Sequence, residues 1–219
     1  QPGAYINEAI DSHETDATVR MANYFPPAAR AAGLSFAAIV NDVLAFEAEA
    51  RGPGLIVWGG TKEDKIYLSL PSYVSGRRAH SGDVLFFIGA LAYPFILEQD
   101  KQPVGQSKLP KPEYTEQVRE AIVTSLTAAG QRGIRVRWSS DHMVAGATEP
   151  VTQIGPQQRA IDVGPQTLRD LLAEIDRVIA RHQTTGEGWI LANGGAGIFE
   201  RDDGRLGTRR FLEKLEEAA

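Results

Sequence analysis

The chain has 219 residues, enough for one large domain or two small ones and for a sizeable buried core. Its 42% hydrophobic and 23% charged content excludes wholesale disorder, and a net charge of −5 argues against nucleic acid as the main partner, which asks for a basic face. No cysteine is present, so disulfides, thiolate metal sites, iron–sulfur clusters and a cysteine nucleophile are excluded, while the compartment stays open, with the cytoplasm favoured over export as a mature protein.

In chain order, Asp11–Asp16 ("DSHETD") reads either as hard-to-borderline metal ligands or as a helix start with Ser12 as cap and acidic groups in the first turn. No H-x-x-x-H pair exists to complete a metal site, so the helix start is preferred and no metal is assigned. Residues 15–32 carry a helical pattern broken at Pro26-Pro27. "LSFAAIV", Leu34–Val40, fits a strand or the start of a helix running through Glu49. "LIVWGG" (55–60), "KIYLSL" (65–70) and "DVLFFIG" (83–89) are short apolar runs between turn signals, the pattern of buried strands.

"GGTKEDK", Gly59–Lys65, lacks the full G-x-x-x-x-G-K-[ST] phosphate loop and precedes an expected strand, so it reads as a hairpin turn. "RRAHSGD", Arg77–Asp83, is a Gly-containing loop in which Arg77 and Arg78 are candidate anion clamps and His80 with Ser81 a candidate hydrolytic arrangement oriented by Asp83, while a mobile exposed loop is the preferred reading. "GDVLFF", Gly82–Phe87, is similar to a segment of peptidoglycan hydrolases, whose catalytic cysteine this chain lacks. The apolar run 84–97 falls short of the roughly 20 residues of a membrane span and contains Pro94.

Asp100–Pro112 reads as a loop, a candidate hinge between two lobes. Pro112–Ala129 follows as an amphipathic helix with Gly130 as its C-cap, and Ile134–Trp138 alternates like a half-buried strand. In "SSDHM" (139–143), His142 is the best candidate for proton transfer and Asp141 for orienting it. The plainer alternative has Asp141 capping a turn and His142 on the surface. Leu168, Leu171, Leu172, Ile175, Val178 and Ile179 then form the clearest helical stripe in the chain.

"WILAN", Trp189–Asn193, reads as a strand followed by Asn193, Gly194, Gly195 and Gly197. An Asn-Gly hairpin explains two of these glycines, and "IFE" (198–200) would be its second strand; close backbone approach to a ligand is the alternative. The dinucleotide fingerprint G-x-G-x-x-G is not completed there. Arg201, Arg205, Arg209 and Arg210, interleaved with acids, read as a solvated surface, and Thr208 as the cap of a last helix.

Helices following strands at short spacing predict an α/β fold: one domain over 1–219, with a layered, mostly parallel sheet flanked by helices. Ligands of such sheets sit outside the carboxyl ends of strands, here Asn41–Asp42, Gly59–Lys62, Gly89, Ser139–His142 and Asn193–Gly197. The expected function is an enzyme acting on a polar small molecule by hydrolysis or group transfer. His142 or His80 would move a proton, Asp141 and Asp83 would orient it, and the 193–197 backbone would stabilise negative charge. The alternative is a non-catalytic module binding a ligand or a protein. No motif names a cofactor, and the oligomeric state is open.

Overall fold

The computed structural model describes Pro26 and residues 34–218; the "DSHETD" cluster and the expected helix over 15–32 lie outside the described residues, Pro26 excepted. The chain divides into two units, Gln1–Ala50 and Arg51–Ala219. In the first, "LSFAAIV" resolves as the start of helix α1 (Leu34–Glu49), which the Ala50 N–H closes by donating to Phe46 O. Asn41 and Asp42 are therefore mid-helix residues, not a strand end.

The second unit is built on a four-stranded sheet of β1 (Leu55–Trp58), β2 (Val84–Phe87), β3 (Arg135–Trp138) and β6 (Ile190–Asn193). Its order is β3-β2-β1-β6 and every pairing is parallel, as the sequence predicts. β1 and β2 are buried along their whole length, which is why they read as unbroken apolar runs. A pair of short antiparallel strands, β4 (His142–Val144) and β5 (Ala160–Val163), forms a separate sheet.

Alternate residues of β1 and β2 serve opposite faces. Ile56, Trp58, Leu85 and Phe87 pack under α2 (Leu70–Ser75) and α4 (Thr115–Gln131), against Leu70, Val74, Val118 and Ile122. Leu55, Val57, Val84 and Phe86 pack under α5 (Pro165–Thr185) and α6 (Leu206–Ala218), against Leu171, Ile175, Val178 and Phe211. Between β2 and α4, the helical run 89–100 includes α3 (Tyr93–Phe95), whose Phe95 is fully buried. Burying each such phenylalanine contributes roughly 2 kcal/mol.

"KIYLSL" is not a strand. Lys65–Ser69 is a π-helical turn that leads directly into α2. Parallel β1 and β2 need a crossover, and Ile66, Leu70 and Val74 meet the core at helical spacing. Tyr67 and Leu68 filled the gaps in that stripe and hid its period. "GGTKEDK" is consequently a strand-to-helix loop and no hairpin.

Three further boundaries move. α4 runs through Gly130, and Gly133, at φ +69°, provides the reversal. Among the described residues β6 is an edge strand with no hairpin partner, and 198–200 forms a turn. Thr208 lies inside α6, whose first turn is held instead by Asp162 through the Gly207 N–H (2.7 Å). The segment 101–111 has no helix or strand beyond a bridge between Val104 and Ile154.

Two arginine anchors tie the layers together. Arg132, just past α4, donates to the carbonyls of Val74, Gly76 (2.9 Å) and Ala79 (2.9 Å). On the β3 edge, Arg135 grips Glu174 of α5 with both arms (3.0 and 3.1 Å), while Arg137 donates to Glu174 (2.9 Å) and Asp170 (2.8 Å). Arg177 adds a third guanidinium to Glu174 (2.6 Å). Burial alone would raise the Glu174 pKa, but the hydrogen bonds from Arg177, Arg135 and Arg137 outweigh it and hold the carboxyl below the usual glutamate range. Its stabilisation is therefore present above the ordinary glutamate pKa and lost as pH falls. Glu174→Gln is expected to destabilise the fold by about 2 kcal/mol, a value tempered by the exposure of the arginines, and urea unfolding at neutral pH measures it.

Candidate ligand site at the strand ends

The carboxyl ends of β1, β2 and β6 carry the loops Gly59–Lys62, Ile88–Ala90 and Gly194–Gly197. Strand order reverses between β1 and β6: β2 and β3 extend the sheet on one side of β1, and β6 adds on the other. At such a switch point the adjacent loops diverge to opposite faces and open a crevice.

Backbone packs on backbone in this crevice. Gly59 N–H donates to Asn193 O (2.9 Å) and Gly60 N–H to Gly195 O (3.0 Å). A Cβ on Gly59 would strike the carbonyls of Gly194 and Gly195, and one on Gly194 would strike Gly59 in return. A Cβ on Gly89 would lie 3.0 Å from Gly195 O, and Gly89 and Gly194 both sit at positive φ (+61° and +95°). These glycines are required by loop-on-loop contact, so the hairpin explanation of 193–197 is replaced.

Lys65 closes the arrangement. Its Nζ donates to Gly59 O (2.8 Å) and Asn193 O (3.2 Å), joining the ends of β1 and β6. Burial lowers the Lys65 pKa. From the opposite side, Thr208 Oγ1 accepts from the N–H of Ala196 (2.9 Å) and Gly197 (3.3 Å). A cavity of about 90 Å³ lies against these loops, lined by Gly60, Thr61, Gly89, Tyr93, Lys108, Arg159 and Gly195–Ile198. A larger groove of about 490 Å³ lies elsewhere, on the β6 edge beside α5 and α6, and is mainly apolar.

Of the residues expected from the sequence, Gly195 and Gly197 line the cavity, and Asn193 and Gly194 support it. The titratable candidates are placed elsewhere. Asp83 precedes β2 at the amino end of the sheet, a strand length of about 13 Å from the crevice. Its carboxylate is occupied by the N–H of Gly54 (2.8 Å) and His80 (2.6 Å) and by Tyr73 OH (2.7 Å). His80 and Arg77 are exposed at that same end.

Asp141 caps α5. Its carboxylate accepts from the N–H of Gln166 (2.9 Å) and Thr167 (2.7 Å) and from the Thr167 hydroxyl (2.7 Å). His142 is buried, not on the surface, with its ring edge-on to Tyr93 (5.8 Å between centroids). Burial pushes its pKa down to about 4, only partly opposed by the Asp141 charge. The structure thus does not bring His80, His142 and the glycine loops into one pocket. Among the described residues, no three His, Cys, Asp or Glu side chains gather as metal ligands.

Sequence reasoning missed Lys65, Tyr93, Lys108, Arg159 and Asp162. Lys65 sat in a presumed strand, and the others become neighbours only through the β4–β5 pair and its flanking loops.

Two buried groups give the protein opposing pH responses. Burial raises Asp162 to about 6, against its hydrogen bonds from Gly207, Val163 and Leu206, so its contribution is present below the ordinary aspartate pKa and lost as pH rises through 6. His142, lowered to about 4, contributes above about 6.5 and loses that contribution as pH falls through 4. His142→Phe is expected to remove the acid-side loss, so that stability declines from pH 4 to 6 through Asp162. Melting temperature across pH 4–7 for both proteins checks it.

Comparison with known proteins places this geometry in context. A family model described as phosphoglycerate kinase matches residues 3–219. The chain is 30% identical over 221 residues to the phosphoglycerate kinase of Roseiflexus castenholzii, covering 96% of this chain and 50% of that protein. It is 28% identical over 229 residues to that of Thermomicrobium roseum, with coverage of 96% and 50%. The chain thus spans about half the length of the curated relatives it matches. Solved phosphoglycerate kinases from Coxiella burnetii and Pyrococcus horikoshii share its fold, with TM-scores of 0.62 and 0.64 at 20% and 16% identity. These likenesses cover 82% and 85% of this chain and 44% and 45% of those chains. Of the two expected reaction classes, a kinase family is one of group transfer; hydrolysis gains no support.

Proposed function

Since the chain belongs to the phosphoglycerate kinase family, we propose that it acts in phosphoryl transfer and binds a phosphorylated small-molecule substrate, a nucleotide, at the β1/β6 crevice. The observation that carries this reading is the glycine-only contact of two loops at the switch point of a parallel sheet. With glycine on both loops, a phosphate can approach the backbone there without intervening side chains.

The chemistry of phosphoryl transfer agrees with the placement of residues. Such reactions ask mainly for positioning and for stabilisation of charge on phosphoryl oxygens. Glycine amides and lysines meet that demand. His142, Asp141, His80 and Asp83, engaged as scaffold or remote from the crevice, are not needed as acid/base groups.

Lys65 acts here as a positioning residue. By holding Gly59 O and Asn193 O together it fixes the distance between the two loops and offsets the negative ends of the converging carbonyls. The neutral Lys65→Met releases this clasp. Titration calorimetry with ADP and magnesium is expected to show binding by the wild-type chain and at least a roughly tenfold loss in both Gly59→Ala and Lys65→Met. Absence of ADP binding by the folded wild-type chain, or full affinity in Gly59→Ala, overturns the reading.

A further inference from the structure

The two edges of the parallel sheet differ in what they offer a neighbour. On β3, Arg135 and Arg137 set charges on the edge and are held there by Glu174 and Asp170. On β6 nothing comparable stands guard: "ILAN" has no charge and no proline, and its register with β1 runs without a bulge. Trp189 O and Asn193 O accept from the N–H of Leu55 and Gly59. At the alternate positions, Ile190 and Ala192 therefore turn their own N–H and C=O groups outward. Among the described residues β6 pairs with β1 alone.

Both faces beside this edge are apolar. Ile190 and Ala192 line the groove of about 490 Å³ together with Val178 and Ile179 of α5 and Leu215 of α6. Leu191 points to the opposite face and is 42% exposed, an apolar side chain without a cover. The neighbouring helix α6 carries its charges in two blocks. Arg209 and Arg210 stand in its first half and share Glu213 at long range (3.7 and 3.5 Å). Glu216 and Glu217 stand at its end, while Lys214 is drawn to Asp176 of α5 (2.8 Å). The helix dipole favours the reverse order of charge. An antiparallel copy of the same helix would match it, basic half against acidic half.

We propose that the β6 edge binds a second copy of this chain, strand to strand and antiparallel, across a two-fold axis at Leu191. In that register Ile190 lies opposite the partner's Ala192, and each such pair exchanges both of its N–H···O bonds, so every outward group of β6 is satisfied. Leu191 meets the partner's Leu191 as the intervening non-hydrogen-bonded pair, with Cα atoms about 4.5 Å apart, and the two exposed side chains cover each other. The axis stands perpendicular to the sheet and keeps the two α5/α6 faces on one side. It makes the two grooves neighbours and sets α6 antiparallel to its copy, the direction that its charge blocks require. Such a contact consumes the open edge of both copies, and the edges that remain are the arginine-guarded β3 strands, so assembly stops at the dimer.

Sedimentation velocity of the full chain between about 1 and 100 µM is expected to show monomer giving way to dimer as concentration rises. Leu191→Lys sets like charges face to face on the axis and is expected to weaken association roughly tenfold or more. Leu191→Cys gives this cysteine-free chain a single thiol within disulfide reach of its own copy, so mild oxidation should link the dimer. Ile190→Cys, which lies opposite an alanine, is expected to stay unlinked. Hydrogen exchange at the Ile190 and Ala192 amides should slow as dimer forms. A chain that stays monomeric throughout overturns the proposal, as does a dimer indifferent to Leu191→Lys and unlinked by Leu191→Cys, whose interface lies elsewhere. Slow exchange of both amides in a monomer also overturns it, because another segment of the same chain then covers the edge.

Discussion

No side chain fits where the loops after β1 and β6 meet. That steric fact governs much else in the second unit. It brings the carbonyls of Gly59, Asn193 and Gly195 close together, which calls for a cation, and Lys65 supplies it. It also leaves backbone rather than side chains at the mouth of the sheet, beside a small cavity. A parallel sheet with larger residues at these positions would still bury its core, but its strand ends would be spread apart and lined with side chains.

Around this contact, buried polar residues serve the ends of helices. Asp141 holds the start of α5 and Asp162 the start of α6, while Thr208 turns back from α6 to fasten the 196–197 loop. Each bond joins segments distant in sequence, so the β4–β5 pair is the frame on which both helices begin. The same arrangement explains why groups with conspicuous chemistry fall outside the crevice. A buried carboxylate that meets several N–H donors is committed to them, and a buried imidazole with a lowered pKa stays neutral at physiological pH.

The layered fold was legible in the sequence because central strands of a parallel sheet are apolar on both faces, and "LIVW" and "VLFF" are unmistakably so. The stripes of α4 and α5 were equally plain. Lys65–Leu70 misled because aromatic and aliphatic residues between the buried positions masked a four-residue period. Gly59–Gly60 and Asn193–Gly194 were visible as glycine signals, but their shared cause was not, since each glycine is explained by the other, more than a hundred positions away. Arg159 was likewise invisible as a site residue, because only the pairing of its segment with Ser107 brings it beside Lys108. Sequence patterning reports on burial and local period; it carries little about which loops converge.

The Arg132 anchor has a consequence of a different kind. Its partners are three peptide carbonyls at the end of α2 and on the loop after it, all met by one guanidinium. The junction of α4 with the loop after α2 is therefore closed through backbone oxygens and not through a matching carboxylate. It depends on shape instead: a planar fork reaches carbonyls that a lysine's single ammonium could not span at once, so charge conservation at this position would not be conservation of the joint.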